Sequence, residues 1–271
     1  MKKFRSFKGM LGIVLIAVII LIGVFAPMLI APEMATKMYM TARLSPPSLA
    51  HPFGTDQLGR DLFFRVMLGA RTSLEIALTA VVMSVVIGLP LGMVSGYFGG
   101  WIDNVLMRLV DTLLAFPALL LALTISAVLG PNLQNTIIAI GVAFTPYLAR
   151  IIRGEALRVA QMPYVEAARA SGTTNLMILI RHILPNIMPA VIVQATISLA
   201  FAILAEAGLS FLGLGTQPPA ASWGLMIQAS RDYLDIAPWT ALVPGLAVAA
   251  TVLGLNMFGD VLRDVLDPRA K

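Results

Sequence analysis

Few residues of this 271-residue chain have the type and spacing that catalysis or metal binding requires. Cysteine is absent, which excludes a thiol nucleophile, and the two histidines, His51 and His182, are far apart in the sequence. A multi-histidine metal site is therefore not expected. The chain also lacks the G-x-x-x-x-G-K-[ST] phosphate loop and the H-E-x-x-H and G-x-S-x-G motifs. We predict no catalytic residue, no bound metal and no cofactor in this chain.

A few charged residues stand beside or within apolar runs. Glu206 lies in the run Ala-Glu-Ala-Gly and, if that run is in a membrane, an unpaired carboxylate costs up to about 3 kcal/mol. Two interpretations are open: Glu206 contacts a cation or peptide amine in a pathway, or it makes a structural hydrogen bond near the interface. Arg108 and Asp111 are predicted to form an i,i+3 pair. His182 is predicted to be a polar helix residue rather than a metal ligand.

The composition sets the environment of these residues. Hydrophobic residues make up 58% of the chain, charged residues 12%, and the mean hydropathy is +0.88. Soluble domains carry about 25% charged residues. The composition excludes a soluble or disordered chain and indicates an all-α polytopic membrane protein. The net charge of +5 is interpreted as setting topology and not as binding nucleic acid.

Apolar runs of about 20 residues predict six transmembrane helices. The third and fourth runs form one uncharged stretch that Gly130-Pro131-Asn132 divides with turn chemistry. Each span after the first contains a proline, which is expected to kink it. The predicted spans are residues 10–31, 76–98, 112–129, 133–149, 186–205 and 236–259.

The basic residues favour cytoplasmic termini. With the N-terminus inside, the inner segments hold 13 Lys and Arg residues and the outer segments hold 6. The chain then divides into a tail and first helix (1–31), an external loop (32–71), a five-helix core (72–260) and a cytoplasmic tail (261–271). Residues 61–74 could form a separate interfacial helix. Trp223 and Tyr233 suit a membrane–water boundary.

Glycines recur every four positions in the second span and its end. Gly88, Gly92, Gly96 and Gly100 predict a ridge of small residues that allows close approach of a neighbouring helix.

The inner segment 150–185 is much longer than a helix connection needs. Pro163 suits the first position of a short helix over residues 164–171, and Gly172 suits the C′ position that ends it. Thr173 or Thr174 is predicted to cap a second helix that runs to Pro185. Glu166 and Arg169 are expected to pair with each other or with a partner chain. Ala167 and Ala168 keep the first helix slim enough to enter a groove.

The spacing of Glu166-Ala167-Ala168, Gly172 and Leu184-Pro185 resembles the EAA loop of permease subunits of ABC importers. His182 stands where that pattern has isoleucine, with Ile183 beside it. Six further motifs, over residues 50–269, resemble the C-type permeases of dipeptide, oligopeptide and nickel importers. They are Phe53-Gly54-Thr55-Asp56 with Gly59-Arg60-Asp61, Gly69-Ala70-Arg71-Thr72-Ser73-Leu74, Gly96-Tyr97-Phe98-Gly99-Gly100, Phe211-Leu212-Gly213-Leu214-Gly215 with Pro218-Pro219, Trp223-Gly224, and Gly259-Asp260 with Leu262-Arg263-Asp264 and Leu266-Asp267-Pro268.

The resemblance implies a type I, MetI-like permease fold in a cell inner membrane. It implies a heterodimer with a B-type permease, two ABC ATPase subunits that carry ATP and Mg, and an extracytoplasmic binding protein that delivers substrate. The helix around Glu166 would be the coupling helix in contact with an ATPase subunit. The residues carried over to docking and coupling are Tyr164, Glu166, Ala167, Ala168, Arg169, Gly172, Leu184 and Pro185.

The sequence does not determine which solute is transported. Dipeptides are the interpretation that the motif spelling favours, with longer peptides, nickel chelates and other small solutes as alternatives. A self-sufficient secondary transporter would be expected to show inverted repeats and more charge within its helices. A membrane enzyme would need a catalytic set of residues.

Overall fold

A computed structural model describes residues 7–266, which are almost entirely helical. The first residues of the predicted N-terminal tail, and Asp267-Pro268 of the last motif, lie outside the described residues. The helices in this range are α1 (Phe7–Leu29), α2 (Pro32–Thr36), α3 (Leu62–Phe98), α4 (Gly100–Leu114), α5 (Ala118–Leu129), α6 (Leu133–Ala160), α7 (Pro163–Ala170), α8 (Asn175–Ile178), α9 (Leu184–Phe211), α10 (Trp223–Ser230) and α11 (Trp239–Leu266).

The long helices confirm a polytopic all-α architecture. Within residues 7–266, five helical stretches are long and apolar enough to cross a membrane: α1, α3, α6, the stretch from Asn175 to Phe211, and α11. The pair α4 and α5 passes the same test only when taken together, with a bend of 85° between its halves. Counted as one span, the pair brings the total to the six that hydropathy predicts.

The third span is not the single helix predicted for residues 112–129. α4 ends at Leu114 and α5 begins at Ala118, with Pro117 between them. Proline has no N–H to donate and its ring excludes the preceding helical turn, and it also disfavours the α conformation at Phe116. The chain therefore turns sharply at Pro117, where the sequence predicts only a kink.

A separate interfacial helix over residues 61–74 is also wrong, because these residues begin the 37-residue helix α3. Asp61 caps its start by accepting a hydrogen bond from the Phe63 N–H at 2.8 Å. The first turns bury one face against α10, where the indole Nε1–H of Trp223 donates to the Val66 carbonyl at 3.0 Å. Trp223 is buried in the core, against the first turns of α3. This burial explains why the helix continues through a mixed sequence.

The segment between α2 and α3 is compactly folded, and basic residues in it and at the start of α3 have structural partners. Asp56 accepts from the Arg60 guanidinium at 2.6 Å and lies 3.6 Å from that of Arg65. Arg65 also donates to the Ala35 carbonyl of α2 at 3.1 Å. All three charged side chains are buried. Arg60 and Arg65 are thus held in place by structural pairing.

α3 and α6 form the most extensive helix pair of the described residues, and glycines lie along their contact. A Cβ built at Gly92 would overlap the Ala149 carbonyl oxygen, and one at Gly96 would stand 2.5 Å from the Arg153 carbonyl oxygen. At Gly88 the nearest atom, another α6 carbonyl oxygen, would be 3.1 Å away. The predicted ridge is confirmed at these three positions. Gly100 is not part of it, since it begins α4 with φ +56° and open space around it.

Candidate functional site

The candidate site is α7 and the segments packed beneath it. Val165 and Ala168 point one face of α7 into an apolar cluster that also contains Ile152 of α6 and Ile183 before α9. The opposite face is exposed and carries Tyr164, Glu166, Ala167 and Arg169. We call this surface the α7 face, and the end of the bundle that bears it the α7 end. The other end of the bundle bears α10.

Gly172 ends α7 in the way that its position predicts. Its φ is +78°, a conformation that glycine adopts without the strain of a Cβ. The Gly172 N–H donates to the Arg169 carbonyl at 3.0 Å and the Thr173 N–H donates to the Ala168 carbonyl at 3.1 Å. This pair of bonds is a Schellman motif, which satisfies carbonyls that the helix end leaves free. Local turn chemistry thus sets the shape of the site.

The second predicted helix does not end at Pro185. Thr174 occupies its N-cap position without a side-chain cap bond, α8 follows, and residues 179–183 form a π-helical turn that leads directly into α9. Proline clashes with the carbonyl four residues before it, here that of Arg181. Arg181 lies within the wider π turn, which lets the helix continue through the proline. α8 and the fifth span are therefore one continuous stretch, and Leu184 and Pro185 join α7 to that span.

Arg169 does not pair with Glu166, contrary to one of the two expectations. Its guanidinium lies over the ring of Tyr97, 4.7 Å from the centroid, and the Tyr97 hydroxyl donates to the Asn175 side-chain carbonyl at 2.8 Å. These contacts fasten α7 and α8 to the last turn of α3. The sequence did not predict that Tyr97 belongs to this site. The only signal was that Tyr97 lies within the motif Gly96-Tyr97-Phe98-Gly99-Gly100, which carries part of the family resemblance.

Glu166 is exposed and makes no hydrogen bond or ion pair through its carboxylate with any residue between 7 and 266. His182 lies behind the α7 face, with its ring 6.3 Å from that of Tyr164. Several apolar side chains near α7 are also exposed, among them Leu176 and Ile180. The α7 face therefore offers an unpaired carboxylate within a mixed polar and apolar surface, held on a rigid base.

Two interhelical ion pairs attach α4 to α6 near the same end. Asp103 accepts two bonds from the Arg153 guanidinium, each 2.5 Å, and also bonds to the Ser95 hydroxyl. Asp111 pairs with Arg150, so the predicted pair of Asp111 with Arg108 is wrong. The i,i+3 spacing shows which residues of α4 are close to Asp111, but it does not show which residues of a neighbouring helix are close to it. The bent third span is thus tied to the helix that leads into α7.

Glu206 is fully buried near the α10 end. Its carboxylate accepts hydrogen bonds from the Ser210 hydroxyl at 2.8 Å and the Ser73 hydroxyl of α3 at 3.2 Å. The Ser73 oxygen also accepts the Trp223 N–H at 3.2 Å, which connects α3, α9 and α10. This is the arrangement that the structural interpretation of Glu206 expects. A role in the substrate path stays a prediction, since the carboxylate is enclosed in this conformation.

This geometry defines a membrane-spanning helical bundle with a short, exposed helix at one end, and the comparisons identify the class. Residues 88–271 match the family of binding-protein-dependent transport system inner membrane components, and the chain belongs to this family. It is similar to the dipeptide transport system permease protein DppC of Alkalihalophilus pseudofirmus, with 45% identity over 97% of this chain and 86% of the relative. It is also similar to the probable D,D-dipeptide transport system permease protein DdpC of Escherichia coli, with 43% identity over 95% of this chain and 86% of the relative.

Two further comparisons agree. The glutathione transport system permease protein GsiD of Escherichia coli is 42% identical over 98% of this chain and 88% of the relative. A chain of the MetNI methionine ABC transporter in an inward facing conformation superimposes with a TM-score of 0.62 and 19% identity, over 76% of this chain and 98% of the other. The likeness confirms the MetI-like fold predicted from the sequence. The chain is a membrane-spanning permease component of an ABC importer.

Proposed function

We propose that this chain is one of two permease subunits of an ATP-driven importer for dipeptides or short peptides. The observation that carries the proposal is 45% identity, over nearly the whole chain, to the permease of a dipeptide transport system. The glutathione permease relative points to the same class of small peptide. Nickel complexes or another small solute are the second candidate, which the wider resemblance of the motifs supports. An extracytoplasmic binding protein would deliver the substrate.

The partner chains follow from the site. The α7 face presents Glu166, which has no partner among residues 7–266, beside Tyr164 and Ala167, and this suits insertion into a cleft of an ATPase subunit. Ala168 and Arg169 hold the helix on its base, and Gly172, Leu184 and Pro185 connect it to the fifth span. ATP and Mg would bind to two separate ATPase subunits, because this chain has no phosphate loop. A related B-type permease would complete the pathway.

Transport in a reconstituted system tests this function. An affinity-tagged chain extracted in mild detergent is expected to bring down ATPase subunits and a second permease. Proteoliposomes of that complex should take up labelled dialanine when the binding protein and ATP are present, and not when ATP is replaced by a non-hydrolysable analogue. Uptake that is equal without ATP would instead make the chain a secondary transporter. Uptake of a nickel chelate in place of dialanine would support the second candidate.

Topology is a separate expectation, with both termini and residues 150–185 in the cytoplasm. The chain has no cysteine, and both Ser48 and Gln161 are exposed at opposite ends of the bundle, so single cysteines report each side cleanly. In intact cells an impermeant thiol reagent should label Ser48→Cys and spare Gln161→Cys until the membrane is permeabilised. Labelling of Gln161→Cys alone in intact cells would reverse the orientation.

A further inference from the structure

Two charged side chains on α3 have no partner among residues 7–266. Arg71 and Glu75 are one helical turn apart, and Thr79 continues the same line a turn further along. All three are exposed, and neither charged group makes a hydrogen bond or ion pair with any residue from 7 to 266. Arg71 packs beside Gly23 of α1, with its Cα 3.8 Å from a Cβ built there. We call Arg71, Glu75 and Thr79 the α3 stripe.

The depth of the stripe follows from α1, which itself spans the membrane. Gly23 precedes the end of α1 at Leu29 by six residues, or about 9 Å at about 1.5 Å per residue. Glu75 lies about 6 Å further along α3, toward the bilayer centre. Both charges therefore lie deeper than the end of α1, although the apolar run that hydropathy predicts for α3 begins only at Ile76.

The stripe borders a groove of about 540 Å³ between α1 and α3, with α9 and α11 as its floor. Apart from the stripe and Thr251, the groove is lined by apolar side chains such as Ile19, Val24, Leu199 and Ile203. It is large enough for a small solute. Its chemistry combines apolar walls with one cation, one anion and one hydroxyl in a row.

An anionic lipid alone does not satisfy this arrangement. An acyl chain fits the walls and a lipid phosphate fits Arg71, but hydrocarbon offers nothing to the Glu75 carboxylate, and a phosphate at Arg71 would repel it. Intramembrane charges of this kind face water-filled cavities or carry opposite charges from a ligand or partner. The occupant therefore carries a negative and a positive group a few ångströms apart, as a small zwitterionic solute or a zwitterionic lipid headgroup does. Only the solute makes the tests below depend on dialanine.

We propose that the α3 stripe binds the zwitterionic main chain of a dipeptide during transport, with the α-carboxylate on Arg71 and the α-ammonium on Glu75. The inference rests on the proposed function, and it adds a substrate site. The Cα atoms of Arg71 and Glu75 are about 6 Å apart along the helix axis, and an extended two-residue chain spans at most about 7 Å. Each further residue would add about 3.3 Å or more and separate the termini too far. Apolar walls receive varied side chains without selecting among them.

The first test is access to water in the assembled transporter. Thr79→Cys should react with an impermeant methanethiosulfonate reagent from the binding-protein side, and dialanine with the binding protein should slow that reaction. Val86→Cys is the matched control, because Val86 is exposed on the same helix but does not line the groove. Thr79→Cys that is as inert as Val86→Cys would overturn the proposal, and so would labelling that dialanine leaves unchanged.

The second test is recognition of the termini. Glu75→Gln should raise the half-saturating concentration for dialanine uptake about 10- to 100-fold and reduce the preference over N-acetyl-dialanine. Arg71→Gln should reduce the preference over dialanine amide instead. The same binding protein serves wild type and variants, so its own preference cancels in the comparison. Unchanged preferences in both variants would overturn the site.

The outcomes separate this inference from the proposed function. Loss of the second permease on copurification of Glu75→Gln would make the stripe a subunit contact and overturn the substrate site. In that case, and with unchanged preferences, wild-type uptake of dialanine still stands. Absence of dialanine uptake by the wild-type complex would instead overturn the proposed function itself.

Discussion

Gly92→Ala should lower the thermal stability of the permease and its amount in the membrane more than any other single methyl along the α3–α6 contact. The added Cβ would overlap the Ala149 carbonyl oxygen and stand 2.9 Å from the Arg153 backbone N. Backbone atoms of a packed helix cannot move aside as the end of a flexible side chain can. Forcing extra volume into such a contact typically costs about 1–3 kcal/mol and occasionally more.

The structure orders a series of such changes. Gly96→Ala should follow Gly92→Ala, and Gly88→Ala should be mildest, because its nearest atom is 3.1 Å away. Gly154→Ala on α6 is the matched control, since nothing lies within 4 Å of its Cβ position and alanine favours a helix by about 1 kcal/mol over glycine. Melting temperatures in detergent and immunoblots of membranes give the ranking. A Gly92→Ala protein as stable as Gly154→Ala would refute the close approach of the two helices.

Reversal of the charge at Glu166 should abolish uptake while membrane insertion survives. The carboxylate is exposed and unpaired among residues 7–266, so its removal leaves the permease fold intact. If it pairs with a basic or amide group of an ATPase subunit, removing one partner of a buried charged contact costs about 2–5 kcal/mol, much of it from the stranded partner. Uptake, copurified ATPase and ATP turnover should be measured in reconstituted complexes of Glu166→Arg, with Glu166→Gln as the milder comparison.

Substitutions at Gly172 test the coupling role of α7 independently of Glu166, and this position offers both a disruptive and a tolerated substitution. Nothing lies within 4 Å of a Cβ at this position, so any effect comes from the φ of +78° and not from crowding. Valine is strained there by about 1–3 kcal/mol, whereas asparagine tolerates left-handed backbone. Gly172→Val should weaken ATPase binding or uncouple ATP turnover from uptake, and Gly172→Asn should retain coupled transport. Coupled uptake at wild-type rates in both Glu166→Arg and Gly172→Val would reduce the α7 segment to a connector.

Hydropathy determined the membrane class and most spans, because the bilayer imposes a length and an apolar composition on each helix irrespective of its neighbours. α1 follows its predicted run closely, whereas α6 and α11 extend beyond the predicted ends at residues 149 and 259, to Ala160 and Leu266. The added part of α6 is amphipathic and buries Ile152, Ala156 and Val159. The start of α7 at Pro163 and its end at Gly172 were also predictable. Both depend on backbone preferences of single residues, which operate within a few positions along the chain.

Tertiary structure decided every feature that joins residues distant in sequence. Asp111 meets Arg150 and not Arg108, Arg169 meets Tyr97 and not Glu166, and α3 starts early because its first turns pack on Trp223. The preference of Asp111 or Arg169 for a charged or aromatic partner is a property of its side chain. Which partner it finds depends on the crossing of helices, and that crossing is set by the summed packing of surfaces such as the glycine contact between α3 and α6. The spacing of residues along one helix therefore does not predict which residues of another helix they contact.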